Sequence, residues 1–143
     1  MFLWDTNILR HFIEGHPTLR TYVKRIAWED IALPSVVVAE VLRGRSEYAL
    51  KASPIQAPPA HALLQETRDM LHCFHIVMFD TSCVIPLQQL REQHKHHKSY
   101  ADMMIAAIAI AGKHTVVTRN RKHFASLLPK TQLANWIDLP PAS

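Results

Sequence analysis

The stretch Met1-Phe2-Leu3-Trp4-Asp5-Thr6-Asn7 decides the fold class of this chain. Its apolar opening ends abruptly in an acid, a hydroxyl and an amide. The four successive apolar residues Met1–Trp4 suit a strand buried on both faces, as in a parallel sheet. In such sheets chemistry sits just beyond the carboxyl ends of the strands, and Asp5 falls at that position. A carboxylate there is costly to desolvate unless something pairs with it, and a divalent cation is the usual partner. A purely structural role is equally open: Asp5 would cap the helix expected over Asn7–Glu14.

Two more acids stand in comparable surroundings. Glu40 lies in Val36-Val37-Val38-Ala39-Glu40-Val41-Leu42-Arg43-Gly44, and Asp102 in Tyr100-Ala101-Asp102-Met103-Met104-Ile105-Ala106-Ala107. Asp and Glu are rarely buried unpaired, so acids far apart in sequence and each set in an apolar segment could share one ion. The plainer alternatives are specific. Glu40 could pair with Arg43, Arg10 or Arg20 on a helix surface. Ser99-x-x-Asp102 reads as a capping box, with the acid favoured by the helix dipole.

The strand signals are Phe2–Trp4, Ile31–Leu33, His75–Phe79, Thr115–Thr118 and Leu133–Trp136. Helical spacing falls between them, over Asn7–Glu14, Thr18–Ala27, Val36–Arg45 with Ser35 as cap, Ala60–His72 after the Pro58-Pro59 break, Ser82–His96, Tyr100–Ala111 and Lys122–Leu128. Strands alternating with helices indicate an α/β fold with a mainly parallel sheet. At 143 residues the chain is expected to form a single domain, with Pro140–Ser143 as a loose tail.

Composition narrows the chemistry. With 3 glycines and no G-x-G-x-x-G or Walker pattern, a Gly-rich phosphate loop is excluded. No apolar run reaches membrane-spanning length, and the start lacks the layout of a signal peptide, so a cytoplasmic protein is expected. Cys73 and Cys83 lack metal or redox spacing and read as reduced core residues. The net charge is +4, and gathering acids into one pocket would leave a still more basic exterior, suited to a polyanionic substrate. The run His94-Lys95-His96-His97-Lys98 is a weak transition-metal motif; a solvated cationic surface, or a contact to RNA phosphate, suits it better.

Taken together, Asp5-Thr6-Asn7, the Val-rich Glu40 segment, Ala101-Asp102-Met103-Met104-Ile105-Ala106-Ala107 and Val117-Thr118-Arg119-Asn120 resemble the PIN domain of VapC-type toxins, the ribonucleases of toxin–antitoxin pairs. The resemblance runs from the first strand to Trp136-Ile137 and implies a PIN-like three-layer fold over residues 1–143: a central sheet flanked by helices. It implies a Mg²⁺- or Mn²⁺-dependent endoribonuclease acting on structured RNA, such as transfer or ribosomal RNA. A VapB-like antitoxin, a homodimer and a cytoplasmic location follow from it.

Carried over residue by residue, the catalytic acids become Asp5, Glu40 and Asp102, with Asp5 and Asp102 as direct metal ligands. Thr6, Asn7, Thr118 and Asn120 would surround them. Many PIN proteins have Asp where Asn120 stands, and an acid is also common at His123, so the fourth ligand stays open. Arg10, Arg43, Arg45, Lys95, Lys98, Arg119, Arg121 and Lys122 are candidates for holding RNA. A haloacid-dehalogenase-type phosphatase also begins with a strand and an Asp, but would need a second Asp where Asn7 stands. An RNA-processing PIN nuclease outside a toxin–antitoxin pair, and a catalytically weak binding module, are the remaining alternatives.

Overall fold

The computed structural model describes residues 1–142. Its centre is a five-stranded sheet in the order β3-β2-β1-β4-β5, formed by β1 (Phe2–Trp4), β2 (Ile31–Pro34), β3 (His75–Val77), β4 (Thr115–Val117) and β5 (Leu133–Ala134). Every strand pairing is parallel. β1 lies in the middle: Leu3 pairs with Ala32 on one side and Val116 on the other. That placement explains the unbroken apolar opening, since Leu3 and Trp4 are both fully buried. The helices α1 (Thr6–Ile13), α2 (Pro17–Arg25), α3 (Ser35–Lys51), α4 (Ala57–Leu71), α5 (Val84–Gln93), α6 (Tyr100–Gly112) and α7 (Arg121–Phe124) complete a three-layer α/β fold.

From β1 the chain builds outward through β2 to β3, then returns to lay β4 on the other side of β1. The strand order therefore reverses between β1 and β4. At such a point the connections leave in opposite directions and open a crevice at the carboxyl ends of the strands. Trp4 anchors the core beneath it, with the rings of Phe12, Phe74, Trp28 and Trp136 at centroid distances of 5.1 to 6.3 Å. On α6, Ile105 to Ala109 are all buried, which explains why this helix carries scarcely any polar residues.

Several sequence expectations need correction. Ser35 does not cap α3: Pro34 holds the cap position, and the Ser35 hydroxyl accepts the Phe79 backbone N–H at 2.9 Å, tying the end of β3 to α3. α3 continues past Arg45 to Lys51 and packs along α4. Pro58 and Pro59 do not break a helix; they stand in the first turn of α4, where no intrahelical N–H bond is required. α5 is shorter than expected because Thr81–Cys83 forms a 3-10 turn, capped by Asp80, and the helix ends at Gln93. Cys83 is buried but Cys73 is exposed, beyond the end of α4. Within the expected loose tail Arg25 donates to the Ala142 carbonyl at 2.7 Å, and just before it Tyr22 donates to the Leu139 carbonyl at 2.7 Å. Ser143 lies outside the described residues.

Candidate active site

Asp5 follows β1 directly, and its backbone N–H donates to the Val117 carbonyl of β4 at 3.3 Å. The residue is thus seated at the crossover crevice. Its side chain makes the cap that the structural reading expected and also lines a cleft. Oδ1 accepts the Ile8 N–H at 2.9 Å as the cap of α1, while the residue is only 7% exposed and lines a cleft shared with the other two acids. Burial raises its pKa above the ordinary 3.8, opposed by hydrogen bonding from the Thr118 hydroxyl and the Ile8 N–H; the Asp102 charge adds to the rise. Desolvation therefore outweighs the mutual repulsion of the acids.

Glu40 reaches the cleft from α3. Its Oε1 accepts from the Thr6 hydroxyl at 3.2 Å, so Thr6 orients the carboxylate. Among the described residues Glu40 forms no ion pair, and the expected alternatives Arg10, Arg20 and Arg43 do not neutralise it. Asp102 comes from the first turn of α6. Half of the capping box is present: the Ser99 hydroxyl accepts the Asp102 N–H at 3.1 Å. The return bond is not made by Asp102, because the Ser99 N–H donates to His97 Nδ1 at 3.2 Å. The carboxylate is left for the cleft, where His123 Nδ1 stands 3.6 Å from Oδ2. Ser99→Ala is expected to destabilise the fold by about 1 kcal/mol through loss of this cap, read by chemical denaturation.

The cleft encloses about 330 Å³ and is also lined by Asn7, Asn120 and Ser99. Thr118 is fully buried beneath it and accepts the Asn120 N–H at 3.0 Å. Among the described residues, no three His, Cys, Asp or Glu side chains form a ready-made metal cage. The donor set nonetheless fits a hard divalent ion. Mg²⁺ binds through one or two carboxylates and retains several waters, and a buried carboxylate of raised pKa lacks only a positive partner. Asp5, Glu40 and Asp102 are the carboxylates that line the cleft.

The basic candidates divide by position. Arg10 and Arg45 line a mainly apolar groove between α1 and α3 that shares Thr6 and Glu40 with the cleft. Lys95 and Lys98 line a separate pocket at the end of α5. Arg119 pairs with Asp138 at 3.2 Å. Arg121 lines another cavity beside Lys130, while Arg43 and Lys122 are exposed. Sequence reasoning missed the linking role of His97, which joins Ser99 to the His123 carbonyl, the latter at 2.9 Å. A histidine two residues before a helix cap is the signal that was available.

No curated protein matches the chain significantly. Among solved structures, FitAcB from Neisseria gonorrhoeae is similar at 27% identity and a TM-score of 0.74, covering 97% of this chain and 100% of that one. VapBC2 from Rickettsia felis, bound to a DNA fragment from its promoter, aligns at 28% identity and a TM-score of 0.70, with 94% and 98% covered. A toxin–antitoxin complex from Klebsiella pneumoniae shares the fold at 23% identity and a TM-score of 0.69, with 97% and 100% covered. The PIN domain family model matches residues 2–127, a span holding Asp5, Glu40, Asp102, Thr118 and Asn120, and the chain belongs to the PIN domain family.

Proposed function

We propose that the chain is a metal-dependent endoribonuclease that cuts structured RNA, transfer or ribosomal, as the toxin of a toxin–antitoxin pair. One observation carries the reading: Asp5, Glu40 and Asp102, from three separate elements, line one cleft where the strand order reverses. PIN domains are generally nucleases. Mg²⁺ or Mn²⁺, when bound, supplies Lewis-acid stabilisation of the charge that develops on a phosphodiester and lowers the pKa of a water. Asp5 and Asp102 would hold the ion. Thr6 fixes one oxygen of Glu40 and leaves the other to orient the attacking water and accept its proton. Thr118 supports the Asp5 carboxylate, and Asn7 and Asn120 offer neutral hydrogen bonds to water or substrate.

The toxin role, a VapB-like antitoxin, a homodimer and a cytoplasmic site of action rest on the likeness to VapBC and FitAcB. The groove between α1 and α3, about 420 Å³, supports the antitoxin in particular. A partner segment seated there would lie against Thr6 and Glu40 and obstruct the cleft. Expression of the chain alone is expected to arrest growth, with Asp102→Ala relieving the arrest. Purified protein should cut transfer or ribosomal RNA in Mg²⁺ or Mn²⁺ and stop on chelation. Harmless expression together with intact RNA in the purified assay would overturn the reading.

A further inference from the structure

The His94–Lys98 run builds a pocket that the catalytic reading leaves unused. It opens where α5 ends and α6 begins, encloses about 360 Å³, and is lined by Arg91, His94, Lys95, His97, Lys98 and Tyr100, with no carboxylate on its wall. Among the described residues, Arg91, Lys95 and Lys98 form no ion pair. Cationic side chains gathered without a counter-charge repel one another, and an anion relieves that repulsion. Arg91 is held over the Tyr100 ring, 4.9 Å from its centroid, which leaves the edge of the guanidinium free to donate.

Hydrogen bonds tie the pocket to the acidic cleft. His97 belongs to the pocket, and its Nδ1 accepts from the backbone of Ser99, which lines the cleft. Its other nitrogen, Nε2, must donate to the His123 carbonyl, since a carbonyl only accepts; His123 lines the cleft too. One imidazole thus clamps the start of α6 to α7 and separates an electropositive chamber from an electronegative one. We propose that this pocket is a phosphate subsite that holds the RNA strand at a phosphodiester neighbouring the one cut. The nature of the strand rests on the ribonuclease reading; the anion specificity follows from the pocket itself. Phosphate contacts of this kind position a strand and are indifferent to its sequence.

The test is equilibrium binding of a fluorescent single-stranded RNA to Asp5→Asn protein, so that binding is read whether or not the chain cuts. Adding Lys95→Ala and Lys98→Ala should weaken binding about tenfold. It should also reduce the slope of log K against log salt by about 0.7, the contribution of the one phosphate no longer neutralised. Lys24→Ala with Lys51→Ala, on α2 and at the end of α3, removes the same charge and should leave the slope nearly unchanged. All variants are checked for the parent's melting temperature, and Arg91→Gln repeats the test from the other side of the pocket. A slope and affinity equal to the parent's, or an equal loss in the Lys24/Lys51 control, would overturn the subsite. Wild-type protein that binds through the pocket but cuts no RNA would instead overturn the ribonuclease reading alone.

Discussion

Purified Asp5→Asn protein is expected to lose RNA cleavage by about a thousandfold or more, equivalent to about 4 kcal/mol of transition-state stabilisation, while remaining folded. The substitution separates the two duties that Asp5 performs. Asn caps helices about as well as Asp, so the bond from the Ile8 N–H to Oδ1 survives and α1 keeps its start. Only the charge needed to hold a cation is lost. Asn also avoids the cost of burying an ionised group that is 7% exposed. Above the ordinary carboxylate range the metal-free variant should therefore melt higher than metal-free wild type. A dead enzyme more stable than its parent cannot be explained by misfolding. Cleavage at the wild-type rate in Mg²⁺ would remove Asp5 from the catalytic role.

The same residue marks how far the sequence could be read. The apolar run ending at Asp5 pointed to a parallel sheet with chemistry at its strand end, and β1 does lie at the centre of an all-parallel sheet. Helix positions were legible from their spacing, whereas helix ends were not. Ser35 has the chemistry of a cap, but its hydroxyl is taken by the Phe79 N–H, a partner 44 residues away that no local pattern announces. Pro58 and Pro59 look like breakers until the first turn of a helix is placed over them. For the site, three acids in apolar settings were a sufficient signal for candidates. Which neighbours support them was not. Thr6 turns toward Glu40, and His97 takes the Ser99 N–H that a capping box would have given to Asp102. Both choices depend on how helices pack across the cleft. The basic residues were least legible, since exposed cations have no packing constraint: Arg119 is engaged by Asp138, and Arg121 lines a different cavity from Lys95 and Lys98.

Divalent metal is expected to stabilise wild-type protein in a pH-dependent way, and Asp5 determines the sign. Its folded pKa is raised above 3.8, chiefly by burial. As pH rises from 3.8, the unfolded chain releases this proton first and the folded protein releases it later. The folded state thus binds more protons across that interval, and the Asp5 contribution to stability falls until the folded pKa is passed. A cation binds the ionised form, so its stabilising effect grows over the same interval and then levels off. At a hundredfold excess over the dissociation constant it reaches about 2.7 kcal/mol. Other groups titrate with the opposite sense. Burial lowers the pKa of His114, whose contribution is lost as pH falls below 6.5, and the hydrogen bonds around Asp80 and Asp138 hold those carboxyls below 3.8, so their contribution is lost as pH falls through still lower values. Wild type alone would mix these effects. An Asp5→Asn, Asp102→Asn double variant retains all of them, so the difference between the two proteins isolates the acidic cleft. Melts at pH 4 and pH 8, with and without Mn²⁺, should show a wild-type shift that is larger at pH 8 and absent from the double variant. An equal shift in both proteins would place the metal outside the cleft, with the histidines between His94 and His97 the first residues to examine.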